Sequence, residues 1–245
     1  MTRAVAAQYE GWPYPTWTRV TARRRTTLAA QVRELDPDGP ATAETPADIL
    51  IAGCGSGQQV ALAAQEMPGE RFTVIDISRA SLGEAERRCT ALGFTGIEYR
   101  HPRSPRGGKA SAGGSTRCGA PACCITCPIR NAAGRRWRAC LKPGGIMHIM
   151  VYSRAARLRV RAIRRFLGPL VDRPVDDDLL RAVRRRVLTM PKVAVPTGRD
   201  FYSLAGTHDL LLHRHEDPFT VPRIRQALDG LGLKLVRFQL PGPAA

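Results

Sequence analysis

The feature that most constrains the fold is a glycine-rich pentapeptide, Gly-Cys-Gly-Ser-Gly, at residues 53–57. It follows an apolar run at 49–51, and a second apolar run at 72–75 ends at Asp76. This order predicts a strand, a glycine loop, a helix, a second strand and a terminal acid, which is the first half of a nucleoside-binding α/β unit. Glycine lets the backbone approach a ligand closely, and the acid can accept hydrogen bonds from both hydroxyls of a ribose. A plain strand-to-helix turn is the alternative interpretation.

The spacing of the glycines separates two kinds of nucleoside site. A dinucleotide fingerprint requires glycine at the position of Gln58, whereas this chain has the pattern G-x-G-x-G. That pattern resembles motif I of class I S-adenosylmethionine-dependent methyltransferases. Residues 76–82 resemble the segment that follows this motif, and Lys-Pro-Gly-Gly at 142–145 resembles the loop into strand five. Residues 9–17, 200–204 and 219–221 are similar to a bacterial subgroup often fused to tetratricopeptide repeats.

The resemblance implies an α/β fold, a Rossmann-like sheet with helices on both faces, and S-adenosylmethionine as the cofactor. It implies an N-terminal arm and helix at 1–45, a cofactor-binding core at 46–153, and a C-terminal helical and strand segment at 154–245. The activity implied is methyl transfer to an acceptor, a small molecule or a protein, that the sequence does not identify. The cofactor contacts implied are Gly53, Cys54, Gly55, Ser56, Gly57, Gln58, Asp76 and Ile77.

Composition adds limits on class and location. The chain of 245 residues is long enough for one α/β domain with a substantial core. No apolar run reaches the roughly 18 residues of a membrane helix, and the N-terminus lacks an apolar signal core. These patterns predict a cytoplasmic protein without a membrane partner.

The formal net charge of +17 raises a nucleic-acid-binding alternative. The distribution of the charge weakens that alternative, because seven of the positive charges lie within residues 102–136, the one segment that does not match the family. Arginine also outnumbers lysine, which suggests a GC-rich coding sequence. The open alternatives to an active enzyme are a basic nucleic-acid-binding protein on a Rossmann-like scaffold and a catalytically dead homologue.

Residues 102–136 interrupt the family pattern, since they have no apolar period. Relatives would carry here a strand beginning Phe-Asp and then a Gly-Val-Leu-His-His-Leu-like stretch. With G or C at most free third bases, residues 115–116 and 121–131 spell these sequences when read one base earlier. We interpret the segment as read out of frame, with a genuine insertion as the alternative. On this interpretation strand four is disordered or non-native, and methyl transfer is impaired.

The cysteines of this segment do not form a metal-site pattern. Only one C-x-x-C pair is present, whereas a structural zinc site needs two pairs or a Cys/His set at suitable spacing. We therefore expect no metal. The four residues are Cys118, Cys123, Cys124 and Cys127.

Hydrophobic periodicity outlines the other elements. Helices are predicted at 22–35, at 79–92 between a Ser78 cap and Gly93, at 154–167 as a basic amphipathic helix, at 176–187 and at 218–232. Strand five is predicted at 146–152 and a last strand at 233–240.

The chemistry of methyl transfer requires few catalytic groups. The methyl group is already activated on a sulfonium, so much of the catalysis can be positioning and desolvation, and a base is needed only for a protonated acceptor. The sequence shows no catalytic triad. Candidates for the acceptor side, each with ordinary packing as the alternative, are Tyr9, Tyr14, Tyr152, Tyr202 and His208.

Overall fold

A computed structural model describes residues 3–21, 24–38, 46–101, 115–120, 132–191, 198–213 and 215–238. Its α-helices are α1 Arg3–Gly11, α2 Leu28–Leu35, α3 Gln58–Glu66, α4 Arg79–Ala91, α5 Ala132–Ala139, α6 Leu158–Leu167, α7 Asp177–Leu188, α8 Leu204–Leu211 and α9 Val221–Asp229. Its strands are β1 Asp48–Ala52, β2 Arg71–Ile75, β3 Glu98–Arg100, β4 Ser115–Ala120 and β5 Leu141–Ile149. Short 3-10 turns occupy Gly168–Asp172 and Arg199–Tyr202.

The strands form one parallel sheet in the order β3-β2-β1-β4-β5. Strand β1 pairs with β2 from Asp48 opposite Arg71 to Ala52 opposite Ile75. The carboxyl ends of these two strands therefore lie side by side. The glycine loop and Asp76 follow these ends directly, which is where ligands bind in open α/β sheets.

Helices cover both faces of the sheet. Ile49 and Ile51 of β1 belong to a core cluster that includes Val60 of α3. The alternate residues Leu50 and Ala52 lie in clusters with Trp137 of α5. Because successive side chains of a strand point to opposite faces, this alternation places helices on the two sides.

The region of strand four differs from the sequence prediction. Residues 102–136 are predicted to lack a regular element, yet Ser115–Ala120 pairs in parallel with both β1 and β5, and α5 begins at Ala132. A strand between two neighbours is held by backbone hydrogen bonds on both edges, and these bonds do not require an apolar sequence. The rest of this segment lies outside the described residues.

Strand β5 begins earlier than predicted. Ser115 pairs with Leu141 but Arg117 pairs with Ile146, so the intervening Lys-Pro-Gly-Gly residues form a bulge inside the strand. Gly144 in this bulge has a φ of 73°, a positive value that glycine adopts readily. The predicted loop is therefore part of β5.

The chain after β5 builds a second core from helices. Helices α6, α7 and α8 bury an apolar cluster that includes Ile163, Leu180, Phe201 and Leu211. The predicted helices at 154–167 and 218–232 are confirmed in shortened form, and the one at 176–187 is confirmed with a shift of one residue. Helix α2 is shorter than its predicted 22–35. The predicted strand at 233–240 is wrong for 233–238, which form no strand. Only the first residue of this stretch, Leu233, packs against a core cluster, while Phe238 is exposed.

Among the described residues, none of the helices combines the length and the apolar character that crossing a membrane requires.

Candidate functional site

The glycine loop turns sharply between β1 and α3. Gly53, Gly55 and Gly57 have φ angles of 76°, 53° and 90°, in the left-handed region that residues with side chains disfavour. The Gly53 N–H donates to the Ile75 carbonyl at 2.7 Å, which ties the loop to the end of β2. Gly57 is the N-terminal cap residue of α3, so the loop ends at the positive end of a helix dipole. A Cβ on Gly57 would lie 2.7 Å from the Ala85 Cα, so glycine there also lets α4 approach.

Asp76 is buried at the end of β2 and faces the loop. Its Oδ2 accepts the Gly55 N–H at 2.9 Å and its Oδ1 accepts the Ser78 N–H at 2.8 Å. Burial raises the pKa of Asp76, while the hydrogen bonds from Ser78 and Gly55 act in the opposite direction. A carboxylate has about four lone-pair positions, so acceptor capacity remains for ribose hydroxyls.

The N-terminal arm, residues 3–20, packs directly on the glycine loop. The Ser56 N–H donates to the Tyr14 carbonyl at 2.9 Å, and the Ser56 hydroxyl donates to the Pro15 carbonyl. The Trp17 indole N–H lies 3.0 Å from the Ser56 hydroxyl oxygen and 3.1 Å from its carbonyl oxygen. Ser56 therefore joins the loop to the arm. Gln58 and Ile77 are half-buried and Cys54 is buried. The role of all these residues in cofactor binding stays a prediction.

The arm also caps helix α4. The Glu10 carboxylate accepts the backbone N–H groups of Arg79 at 2.5 Å and Ala80 at 3.2 Å. Ser78 completes this cap, since its hydroxyl accepts the Ser81 N–H at 3.0 Å. A carboxylate at a helix N-terminus is stabilising because it satisfies unpaired N–H groups and faces the positive end of the dipole.

Glu10→Ala is expected to lower the free energy of unfolding by about 0.5–2 kcal/mol, because two N–H groups of α4 lose their acceptor. Glu34→Ala is the matched control, since Glu34 is exposed on α2. Urea denaturation of both variants measures the difference. Equal loss in the two variants would show that the contact with α4 contributes nothing.

A second group of polar residues lies between the arm and α8. The Tyr9 hydroxyl donates to Asp209 Oδ1 at 2.7 Å and lies 3.2 Å from His213 Nε2. The His213 Nδ1 accepts the His215 N–H at 3.0 Å. In a neutral His213 ring the proton is therefore on Nε2, which donates to Tyr9. The chain of hydrogen bonds runs in one direction and ends on the Asp209 carboxylate.

Burial shifts the pKa of both titrating groups in this chain of hydrogen bonds. It raises the pKa of Asp209 to about 6, with added increases from Asp200 and Glu216 and opposing effects from Tyr9 and Arg157. Burial lowers the pKa of His213 to about 4, so the ring is neutral near pH 7.

Two further tyrosines border this group. Tyr14 and Tyr152 are half-buried, and burial is the largest cause that raises the pKa of each hydroxyl, with added increases from Asp209 and Asp200. The Arg157 guanidinium lies over the Tyr152 ring, 4.0 Å from its centre, and forms an ion pair with Glu216. We call the region between the arm and α8 the cleft; its residues are Tyr9, Tyr14, Tyr152, Arg157, Asp200, Asp209, His213 and Glu216.

The structure sorts the five acceptor-side candidates. It brings Tyr9, Tyr14 and Tyr152 together at the cleft, and the buried His208 meets the Trp12 ring edge-on at 4.9 Å. Tyr202 is 58% exposed and contacts the Phe201 ring instead. The residues that sequence reasoning missed are Asp209, His213, Arg157 and Glu10; Asp209 follows a candidate directly in sequence, and this adjacency is the one signal that could have found it.

The described residues contain no group of three or more His, Cys, Asp or Glu side chains that could hold a metal ion. The prediction on the cysteines at 118–127 falls on side chains outside the described part of the chain.

Comparisons with known proteins identify the domain. Residues 49–145 match the methyltransferase domain family. The chain is similar in structure to PKMT2 from Rickettsia typhi in complex with AdoHcy, with a TM-score of 0.62 at 15% identity over 89% of this chain and 44% of that chain. A second structure of PKMT2 gives a TM-score of 0.59 at 14% identity, with the same coverage. An uncharacterized protein of Synechococcus sp. is 25% identical over 205 residues, which are 78% of this chain and 48% of that protein.

Residues 49–145 therefore match a methyltransferase domain, as the sequence predicted, and the predicted class I, Rossmann-like fold is confirmed. S-adenosylmethionine is the cofactor that this family and fold specify. The chain spans less than half the length of these relatives. The remark on fusion to tetratricopeptide repeats stays a prediction.

Proposed function

We propose that this chain transfers the methyl group of S-adenosylmethionine to an acceptor held in the cleft. The observation that carries the proposal is the buried Asp76 carboxylate facing a loop of three glycines with positive φ. This set fits the cofactor. Asp76 has acceptor capacity for the ribose hydroxyls, and the N–H groups at the start of α3 suit a carboxylate. The residues assigned to the cofactor remain Gly53, Cys54, Gly55, Ser56, Gly57, Gln58, Asp76 and Ile77.

The residues of the chain act by holding and orienting. The cofactor supplies an activated methyl group, so the protein contributes position, exclusion of water and removal of a proton where the acceptor carries one. Tyr14 connects the two sites, because its carbonyl binds the Ser56 N–H while the pKa of its hydroxyl responds to Asp200 and Asp209. An acceptor in the cleft would therefore lie beside the cofactor loop.

We further propose the division into an arm and helix at 1–45, a cofactor-binding core at 46–153 and a C-terminal segment at 154–245. Support comes from two separate apolar clusters, one on the sheet and one among α6, α7 and α8. The arm contacts both, with Trp17 in the first and Trp12 packed against the second.

Asp76→Asn is expected to weaken binding of S-adenosylhomocysteine, the product of the cofactor, by about 1–3 kcal/mol. The amide can accept on one side only, and its NH₂ group would face the N–H of either Gly55 or Ser78. Isothermal titration calorimetry measures the change. Asp48→Asn is the matched control, because Asp48 begins β1 at the end of the strand opposite the glycine loop and pairs with Arg71 and Lys142.

Three results would oppose the proposal. These are equal affinity in the two variants, binding of NAD in place of S-adenosylmethionine, and a wild-type chain that binds the cofactor but transfers no methyl group to any acceptor. The comparisons give no support to the alternative of a basic nucleic-acid-binding protein.

A further inference from the structure

The cleft is acidic within a strongly basic chain. The formal net charge of the protein is +17, yet the cleft brings together a buried Asp209, an exposed Asp200 at its rim, and Glu216. The buried cation beside them, Arg157, forms its ion pair with Glu216. Arg157 also acts on Asp209, and the Tyr14 side chain hydrogen-bonds to Asp200. Three carboxylates nevertheless face this one cation, so the excess charge on whatever enters the cleft is negative.

The hydrogen-bond chain prepares Asp209 to accept. Each donor points toward Asp209: the His215 N–H to His213, the His213 Nε2–H to Tyr9, and the Tyr9 hydroxyl to Asp209 Oδ1. A donor on Oδ1 stabilises the ionised carboxylate and fixes its orientation. Tyr9 and His213 are therefore positioning residues for Asp209.

Aromatic rings supply the walls of the cleft. Tyr14 and Tyr152 are half-buried, and both lie close enough to Asp200 and Asp209 for the carboxylates to raise the pKa of their hydroxyls. The Tyr152 ring already holds one cation, since the Arg157 guanidinium lies 4.0 Å from its centre. Aromatic faces attract cations and do not compete for their protons.

We propose that the methyl acceptor is an alkylamine that enters the cleft as its ammonium ion and gives one proton to the Asp209 carboxylate. This inference rests on the proposed function, because the methyl group comes from the bound cofactor. The ammonium R–NH₃⁺ loses H⁺ to Asp209, and the lone pair that is freed forms the new N–C bond. The S–C bond breaks, and its electron pair stays on sulfur. The product leaves as R–NH₂⁺–CH₃, and the proton on Asp209 then passes to solvent.

The first test is binding without the cofactor. Calorimetry compares n-butylamine with 1-butanol, which has the same chain length and no charge. We expect the amine to bind at least about tenfold more tightly near pH 7.5. Its affinity should fall as the pH drops through about 6, where Asp209 takes up a proton, whereas butanol should show no such dependence. Near pH 6, amine binding should also release a fraction of a proton, visible as different heats in two buffers of unlike ionisation enthalpy.

Variants around Asp209 give opposite shifts. Tyr9→Phe removes a hydrogen bond that lowers the pKa of Asp209, so the acid limb of amine binding should move up by about one pH unit. Asp200→Asn removes a charge that raises this pKa, so the limb should move down. If Tyr9 and Asp200 had only structural roles, their variants would not shift the pH dependence of amine binding in opposite directions. The groups that face Asp209 are Tyr9, Tyr14, Tyr152, Arg157, Asp200, His213 and Glu216.

Asp209→Asn should lose at least about tenfold in amine affinity and the release of protons, with thermal unfolding as the check on its fold. Equal affinity for butylamine and butanol, unchanged binding in Asp209→Asn, or shifts of the two other variants in the same direction would overturn the inference. If the wild-type chain binds S-adenosylhomocysteine but not the amine, this inference alone is overturned. If the wild-type chain does not bind S-adenosylhomocysteine, the proposed function is overturned as well.

Discussion

Replacing Gly55 by alanine is expected to lower the free energy of unfolding by about 2–5 kcal/mol and to abolish tight binding of S-adenosylhomocysteine. The backbone there has a φ of 53°, which a side chain disfavours. A Cβ would also overlap the carbonyl oxygen of Tyr14 and lie 3.2 Å from its carbonyl carbon. The arm would have to move away from the loop, and the hydrogen bond from the Ser56 N–H would break.

Gly93→Ala is the control for backbone strain. Gly93 has a φ of 80°, and a Cβ there would meet no heavy atom within 4 Å. The control should therefore lose only the strain of about 1–2 kcal/mol and keep its affinity for S-adenosylhomocysteine. Guanidinium denaturation and calorimetry of both variants give the comparison. If the two variants lose the same stability and both bind, the close contact between arm and loop is not what Gly55 provides.

Local patterns predicted the backbone of the glycine loop and of the elements around it well. The glycine loop, the acid after β2 and helix α4 between Ser78 and Gly93 are all set within a few residues of sequence. Their geometry depends on backbone conformation and capping, for which residue types carry a direct signal. The loop and Asp76 therefore stand where the spacing placed them.

The cleft could not be predicted in the same way. Tyr9 and Asp209 are 200 positions apart, and Glu10 and Arg79 are 69 apart. An acid in the middle of α8 reads in sequence as an ordinary solvent-facing residue. Only the packing of α8 against the arm buries Asp209, and this burial raises its pKa.

Strands β4 and β5 show a different limit. Side-chain periodicity gave no strand at Ser115–Ala120, because pairing with β1 and β5 uses the backbone. Five residues of β5 from Leu141 face two of β4 from Ser115, and no propensity scale anticipates such a bulge. The position of β4 between β1 and β5, and not its local sequence, makes it a strand.

Trp17→Ala is expected to lower the free energy of unfolding by about 3–5 kcal/mol. The indole is 6% exposed and belongs to the same apolar cluster as β1 and α3. The Arg88 guanidinium lies over the ring, 4.9 Å from its centre, and donates to the Trp17 carbonyl. The substitution removes the ring, leaves a cavity beneath the arm and removes the indole N–H that contacts the Ser56 oxygens. Urea denaturation measures the loss.

Trp17→Phe separates packing from hydrogen bonding. Phenylalanine keeps an aromatic ring for the core and for Arg88 but loses the indole N–H that meets Ser56 at 3.0 Å, so about 1–2 kcal/mol should be lost. Since Ser56 also carries the N–H that binds the Tyr14 carbonyl, loosening it should weaken S-adenosylhomocysteine binding as well. A Trp17→Ala variant that loses less than about 1 kcal/mol would mean that the arm is not part of the core. A Trp17→Phe variant with unchanged affinity would mean that the arm does not hold the cofactor loop in place.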